Sequence, residues 1–207
     1  MNPKFLELPD EKREKIFNAG FEVFGKSDYR HASTEEIALR AGISKGLLFY
    51  YFENKRTFYN YLFEQAVARI KERVLDEEIG TITDFFDYCR YAAMRKYELL
   101  VRNPHVMDFI MRAYGSKDEQ VSEDIGRRMR EEIAAIAQNH FQNVDFSKFR
   151  ADVDFKVVYR MLVWMVEGYM VEQQRAGMSV SLDEMMGQYM EIASYLRRMS
   201  YKEEYLK

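Results

Sequence analysis

Residues 34–55, TEEIALRAGISKGLLFYYFENK, decide how this chain is read. Ser33 and Glu36 have the spacing of a capping box. Ser33, or Thr34 beside it, can cap a helix, because a side-chain oxygen there accepts an otherwise unpaired backbone N–H. Ile37, Ala38 and Ala41 give that helix one apolar side, and Gly42 ends it, since glycine enters the left-handed conformation cheaply. Ile43 is a plug in the turn, and Ser44 caps a second helix from Lys45 to Phe52. Two short helices joined by a three- to four-residue turn with glycine form a helix-turn-helix.

The second helix carries the chemical information. Leu48 and Phe52 are four apart and share a face, which is assigned to the core. The other side then shows Lys45, Gly46, Leu47, Phe49, Tyr50 and Tyr51, too much aromatic area for a solvated surface. A DNA groove would account for it. Lys45 stands at a helix N-terminus, where phosphates are favoured, and Gly46 lets a backbone come close. The Phe49 ring can meet a thymine methyl, and the Tyr50 and Tyr51 hydroxyls can donate to phosphate or base edges. The same aromatics would also serve to pack against a neighbouring helix, and periodicity leaves both readings open.

AGISKGLLFYYFENK, with TEEIALR before it and an amphipathic helix earlier still, resembles the DNA-binding region of the TetR family of bacterial transcription regulators. The likeness spans about the first sixty residues without gaps; beyond them only length and helical character agree. It implies that Thr34, Lys45, Gly46, Leu47, Phe49, Tyr50, Tyr51 and Lys55 face DNA. Leu47 stands where the family commonly has a small polar residue, and Phe49 where tyrosine is common. Each loses a hydrogen-bonding group, so base readout leans on apolar contact and DNA shape.

The rest of the chain sets the frame. Its 207 residues can bury one large or two modest cores. No segment has the roughly 20 apolar residues of a membrane span, and the N-terminus, MNPKFLELPDEKREK, lacks the apolar centre of a signal peptide. A single cysteine, Cys89, excludes an internal disulfide and suits a reducing cytoplasm. The net charge is −3, but residues 26–56 hold six Lys/Arg against four Asp/Glu. Phosphate contact depends on a few placed cations rather than on bulk charge, so modest non-specific affinity for nucleic acid is expected.

A first helix spans about Asp10 to Phe24 and braces the helix-turn-helix through Ile16, Phe17, Gly20, Phe21, Val23 and Phe24. Tyr29 and His31 lie in the connection. Asn54 caps a long helix from about Lys55 to Ile79, with no Pro/Gly/Ser-rich linker before it. Further helices are expected at about 83–102, 106–114, 119–141, 152–176 and 182–199.

Twelve of the thirteen methionines follow residue 93, and methionine fills irregular gaps and adapts to varied partners. Phe85, Phe86, Cys89, Met107, Ile110, Met111, Tyr114 and Trp164 are candidates to line an apolar cavity, with an ordinary helical core as the alternative. The last two helices are apolar on more than one side and must be covered. Val158, Met161, Met165, Tyr169, Met185, Tyr189, Ile192 and Leu196 are the candidates for a four-helix interface across a two-fold axis, where the resemblance also puts the dimer.

Enzyme signatures are missing from the sequence. His31, His105 and His140 are far apart and none has an HExxH-type partner; there is no glycine-rich phosphate loop and no nucleophile elbow. No catalytic residue, metal or cofactor is expected. The resulting expectation is an all-α chain of about nine helices, with a helix-turn-helix DNA-binding domain over residues 1–54. A long helix joins it to a helical ligand-binding and dimerisation domain over residues 55–207. The partners expected are a palindromic double-stranded operator, a small hydrophobic or aromatic effector and a second copy of the chain, in the cytoplasm. Repression is the expected output; an activator of the same fold would share every one of these residues, whereas a helical scaffold would not need Lys45, Gly46 and the aromatic run at these positions.

Overall fold

The computed structural model describes residues 1–114 and 119–206; the side chains at 114, 119, 120, 137–139 and 174 lie outside that description. Among the described residues the long elements are all helices: α1 (Asp10–Lys26), α2 (Thr34–Ala41), α3 (Lys45–Phe52), α4 (Lys55–Val74), α5 (Phe85–Arg102), α6 (Pro104–Tyr114), α7 (Glu119–Asn139), α8 (Phe155–Arg175) and α9 (Leu182–Ser200). One isolated antiparallel bridge, Phe149–Tyr201, joins the segments before α8 and after α9. None of the helices described is long and apolar enough to cross a membrane.

The helices start where the sequence supplies side-chain acceptors. Asn54 Oδ1 accepts from the Thr57 N–H at 2.9 Å at the head of α4, and Ser181 Oγ accepts from the Glu184 N–H at 3.2 Å at the head of α9. α4 ends at Val74, five residues short of expectation. Beyond it, Asp76 Oδ1 accepts the Ile79 N–H at 3.1 Å and diverts the backbone into a 3-10 turn over Ile79–Thr81. Such a local side-chain bond competes with helix continuation.

The chain forms two compact units, Met1–Ile70 with Leu100–Arg130, and Lys71–Leu99 with Glu131–Lys207. The first takes in most of α4, all of α6 and the start of α7, so its core is much larger than a three-helix head. Phe109 of α6 is fully buried against Phe21 and Phe24 of α1 and Tyr59 of α4, with ring centroids 5.4, 6.2 and 5.0 Å away. Two glycines let α1 come this close. A Cβ at Gly20 would lie 2.5 Å from Leu62 Cδ1, and one at Gly25 would lie 3.0 Å from Asp108 Cβ. The N-terminal segment is structural as well: Pro3–Phe5 forms a 3-10 turn, and the fully buried Phe5 ring stands 4.7 Å from Phe52 and 5.6 Å from Phe17.

In the second unit, Phe85 is fully buried among Phe86, Phe141 and Phe149, with centroids 5.1–5.3 Å away. Asp84 anchors this cluster. Its Oδ1 accepts the N–H groups of Phe86 and Asp87 at the head of α5, while Oδ2 accepts from Lys148 Nζ at 2.9 Å and Arg197 at 3.5 Å. Desolvation, the largest single influence on this carboxyl, would raise its pKa. The bonds from Lys148 and the Asp87 N–H, with the charge of Arg197, outweigh it and hold the pKa below the ordinary value.

A depressed carboxyl stabilises the fold fully above its unfolded pKa of about 3.9 and loses that contribution as pH falls through the lower folded value. Melting curves taken from neutral pH into the acid range should therefore show a stability loss in that window. Asp84→Asn should shrink the acid-dependent part and lower stability at neutral pH by about 2 kcal/mol, the scale of hydrogen bonds to a charged group.

Candidate nucleic-acid interface

α2 and α3 are set by their caps. Ser33 Oγ accepts the Glu36 N–H at 3.3 Å, and Ser44 Oγ accepts the Leu47 N–H at 3.1 Å. Between them Gly42 sits at φ +68°, and the Ile43 N–H returns to the Ala38 carbonyl at 3.0 Å. A left-handed residue followed by this backward bond closes the turn. Beyond α3 the reversal is sharper. Glu53 has φ +63° and ψ −52°, and the Asn54 N–H meets the Phe52 carbonyl at 2.6 Å. This three-residue turn is costly for a non-glycine residue, and it swings the chain into α4.

Of the residues expected to face DNA, α3 brings five to its outer side and flanks. Lys45, Gly46 and Tyr50 are exposed, Tyr50 at 48%, and Leu47 is half-buried on a flank. Phe49 is half-buried on the opposite flank, while Leu48 and Phe52 are in the core. Thr34 is half-buried at the start of α2. Lys55 is half-buried; its Nζ donates to the Arg30 carbonyl at 3.1 Å and stands 5.0 Å from the Tyr29 ring centroid.

Tyr51 requires a correction. It is only 7% exposed, with its ring 5.5 Å from Phe5 and its carbonyl accepting the Asn2 N–H at 2.7 Å. The N-terminal segment covers the side of α3 that a two-helix reading leaves open, so Tyr51 supports the helix from the core and does not stand on the exposed face. Sequence reading also passed over Leu39, which projects from α2 at 80% exposure. An isolated exposed leucine is ordinary, and nothing in its local sequence distinguishes it.

Most cations of this region are already engaged. Arg40 donates to Glu36 and Glu22, Lys26 to Glu22, and Arg56 to Asp124. Lys45 Nζ lies 3.3 Å from Glu35. That pair is exposed and of small worth, so a phosphate can displace the carboxylate. His31 is held to Asp28, Nδ1 to Oδ1 at 2.8 Å, on the surface.

The residues proposed for a cavity fall in different places. Phe85, Phe86 and Cys89 are buried in the second unit, the first two within its aromatic cluster. Met107, Ile110 and Met111 belong to the first unit. The side chain of Tyr114 lies outside the described residues. Trp164 is 58% exposed with the Arg160 guanidinium 5.3 Å from its ring centroid, so it lines no interior. The expected interface set divides likewise. Val158 and Tyr169 are buried inside the second unit, and Tyr189 Oη donates inward to the Cys89 carbonyl at 3.3 Å. Met161 is exposed, and Met165, Met185, Ile192 and Leu196 are half-buried. The stripe left open on α8 is Val157, Met161 and Trp164, one step around the helix from the buried Val158 and Leu162. No cluster of three or more metal-ligating side chains occurs among the described residues.

Residues 16–62 match the family described as bacterial regulatory proteins, tetR family. The chain is 30% identical over 119 residues to the HTH-type transcriptional activator FasR of Mycolicibacterium smegmatis. That alignment covers 52% of this chain and 53% of that protein, so the chain spans about half the length of the curated relative it matches. Among solved structures, the fatty acid degradation regulator FadR from Bacillus halodurans has a TM-score of 0.70 at 14% identity, covering 95% of each chain. The transcriptional regulator FadR from Bacillus subtilis in complex with stearoyl-CoA gives 0.66 at 15%, covering 88% of this chain and 96% of that one. A TetR family transcriptional regulator from Chloroflexus aurantiacus gives 0.60 at 20%, covering 97% and 98%. At such identities these structures bear on the fold.

Gly46 separates folding from binding. A Cβ there would meet nothing nearer than Ser44 Oγ at 3.9 Å, so the fold does not require glycine. Gly46→Ala should raise the stability of the free protein by about 0.5–1 kcal/mol, the helix-propensity gain. It should also weaken operator binding, because the methyl group occupies the contact surface; melting curves and DNA titrations on the same variant test both halves.

Proposed function

We propose that the chain, whose residues 16–62 match the tetR family of bacterial regulatory proteins, is a transcriptional regulator of that family and acts as a homodimeric repressor which a small hydrophobic or aromatic molecule releases from a palindromic operator. The observation that carries the reading is the outer side of α3. It offers a lysine at the helix N-terminus, a glycine the fold does not need and an exposed tyrosine one turn later. Lys45 meets phosphate, Gly46 permits close backbone approach, and Leu47, Phe49 and Tyr50 read groove surface. Thr34 and Lys55 flank this set as phosphate contacts.

Dimerisation supplies specificity. One eight-residue helix reads few base pairs, whereas two, spaced about 34–36 Å apart or a multiple, read a two-fold site. The open stripe Val157–Met161–Trp164 on α8, with Tyr195 and Met199 exposed on α9, supports an interface through these helices. The effector acts by population shift and moves the equilibrium only by its differential affinity for the DNA-competent and released states. A solved structure of the same fold with stearoyl-CoA bound supports an effector with a long apolar part.

The deciding experiment is binding of the purified chain to the DNA upstream of its own gene, at moderate salt with excess competitor DNA, since salt sets the non-specific background. A two-fold footprint is expected, while a chain that binds no DNA more tightly than competitor refutes the regulator reading. An effect on transcription opposite in sign would make it an activator. Lys45→Ala and Tyr50→Ala should each weaken operator binding by about tenfold, within the 1–3 kcal/mol of a specific contact, with the dimer intact by light scattering.

Met161→Glu should halve the solution mass and abolish tight operator binding. The residue is exposed in the single chain, so a fall in mass with an unchanged helical circular-dichroism signal would mark a lost interface and not a lost fold. An unchanged mass would refute this interface.

A further inference from the structure

The segment that stops α4 early also walls a cavity. After Val74 the backbone turns through Ile79–Thr81 instead of continuing the helix. The segment after α7 is tied back to it. Asn143 Nδ2 donates to the Gly80 carbonyl at 2.8 Å, and the Asp145 N–H donates to the Thr83 carbonyl at 2.7 Å. Between these two segments and the start of α5 lies a cavity of about 170 Å³, lined wholly by residues of the second unit.

Its walls are of two kinds. Ile79, Ile82 and Val144 give apolar surface, and Tyr88, His140 and Asn143 give polar groups. Tyr88 is only 6% exposed, and its ring packs on Phe141 with centroids 5.0 Å apart. Among the described residues its hydroxyl has no hydrogen-bond partner, and neither has the half-buried His140 ring. Polar groups taken out of water are ordinarily paired, and here two that are not border the same small space.

Size limits what that space can hold. A cavity of about 150 Å³ admits benzene, so this one takes a single ring and not a long chain. Chemistry limits it further. Among the described residues no Asp, Glu, Lys or Arg lines the cavity. Burial pushes the Tyr88 phenol up to about 12 and holds the His140 imidazole below the ordinary histidine range, so both are neutral at neutral pH. Lys71 and Glu132, whose charges act on His140, are paired with each other. An entering ion would lose its water without meeting a counter-charge. A hydroxyl both donates and accepts, which suits a phenol that does the same and a neutral imidazole that offers one of each.

We propose that this cavity binds a small uncharged ring molecule bearing a hydroxyl group, with Tyr88 and His140 as its hydrogen-bonding partners and Ile79, Ile82 and Val144 against its ring. The assignment stands on the cavity alone and goes beyond the regulator reading; a chain that binds no operator would still hold this site.

Titration of the full chain at neutral pH with phenol, toluene and benzoate tests it. The readout is NMR of the ring Cε1–H signals of the three histidines, His31, His105 and His140, with His140→Gln identifying its signal by absence. Phenol should shift the His140 signal saturably and leave the other two in place. Toluene keeps the ring and lacks the hydroxyl, so it should bind about tenfold more weakly, the scale of one hydrogen bond. Benzoate should leave His140 unshifted at the concentration where phenol saturates. Tyr88→Phe should bring phenol down to the affinity of toluene and leave toluene unchanged. That variant should melt at the same or a higher temperature than the parent, because no hydrogen bond within the protein is lost; a lower melting temperature would make the hydroxyl structural and overturn the proposal. No saturable shift, an equal shift of all three histidines, equal affinity for phenol and toluene, benzoate binding as tight as phenol, or a phenol preference that survives Tyr88→Phe would also overturn it.

Discussion

The packing of Phe109 against α1 and α4 is the constraint on which the DNA-reading end depends. Phe109, Phe24 and Tyr59 stand within one cluster of rings, and Phe24 also touches Phe58, which touches Phe52 of α3. A short recognition helix has little stability of its own. Here its buried side continues, ring by ring, into a helix more than fifty residues further along the chain. Losing a fully buried phenylalanine costs about 3–5 kcal/mol, a large share of what a domain possesses. Contacts of this kind, rather than the caps of α2 and α3, keep the exposed face of α3 in one orientation. The glycines at 20 and 25 are the concession that makes them possible, since any side chain there would hold α1 away from α4 and α6.

Much of this was legible in the residues, and what was not has a physical cause. The caps at Ser33, Ser44 and Asn54, the left-handed Gly42 and the split of α3 into Leu48/Phe52 inside and Lys45/Tyr50 outside follow from local rules, because each involves neighbours within four residues. The overlong reading of α4 missed a local bond, Asp76 to Ile79; the other errors involve distant partners. Tyr51 reads as exposed until Phe5, forty-six residues earlier, is known to lie on it. α6 reads as part of a second domain until Phe109 is seen among the rings of α1 and α4. Phe85 and Trp164 are both aromatic residues at helical spacing, yet one is the centre of a core and the other stands in the open. Periodicity gives the side of a helix and is silent about what covers it.

The charge distribution bears on how such a surface chooses DNA. Arg40, Lys26 and Arg56 hold the head to itself through carboxylates, so few cations are left over for the phosphates. Counter-ion release scales with the number of phosphates neutralised. A head with few such contacts gains little on arbitrary sequence, and more of its affinity has to come from contacts that depend on sequence. In the proposed reading those on α3 are mainly apolar: Leu47, Phe49 and the ring of Tyr50. Apolar surface reads thymine methyl groups and groove width more readily than donor and acceptor patterns. A net charge of −3 therefore does not disqualify the chain as a DNA-binding protein; it moves discrimination from electrostatics to shape.

The same economy of charge runs through the second unit. Asp84 takes Lys148 and Arg197, Asp76 takes Arg95, and Glu98 takes Arg73. Asp84 is the buried one among these carboxylates, and it also accepts two backbone N–H groups at the head of α5. A carboxylate taken out of water is tolerated only where its lone pairs are met, so the pairing that neutralises Asp84 also fixes where α5 begins.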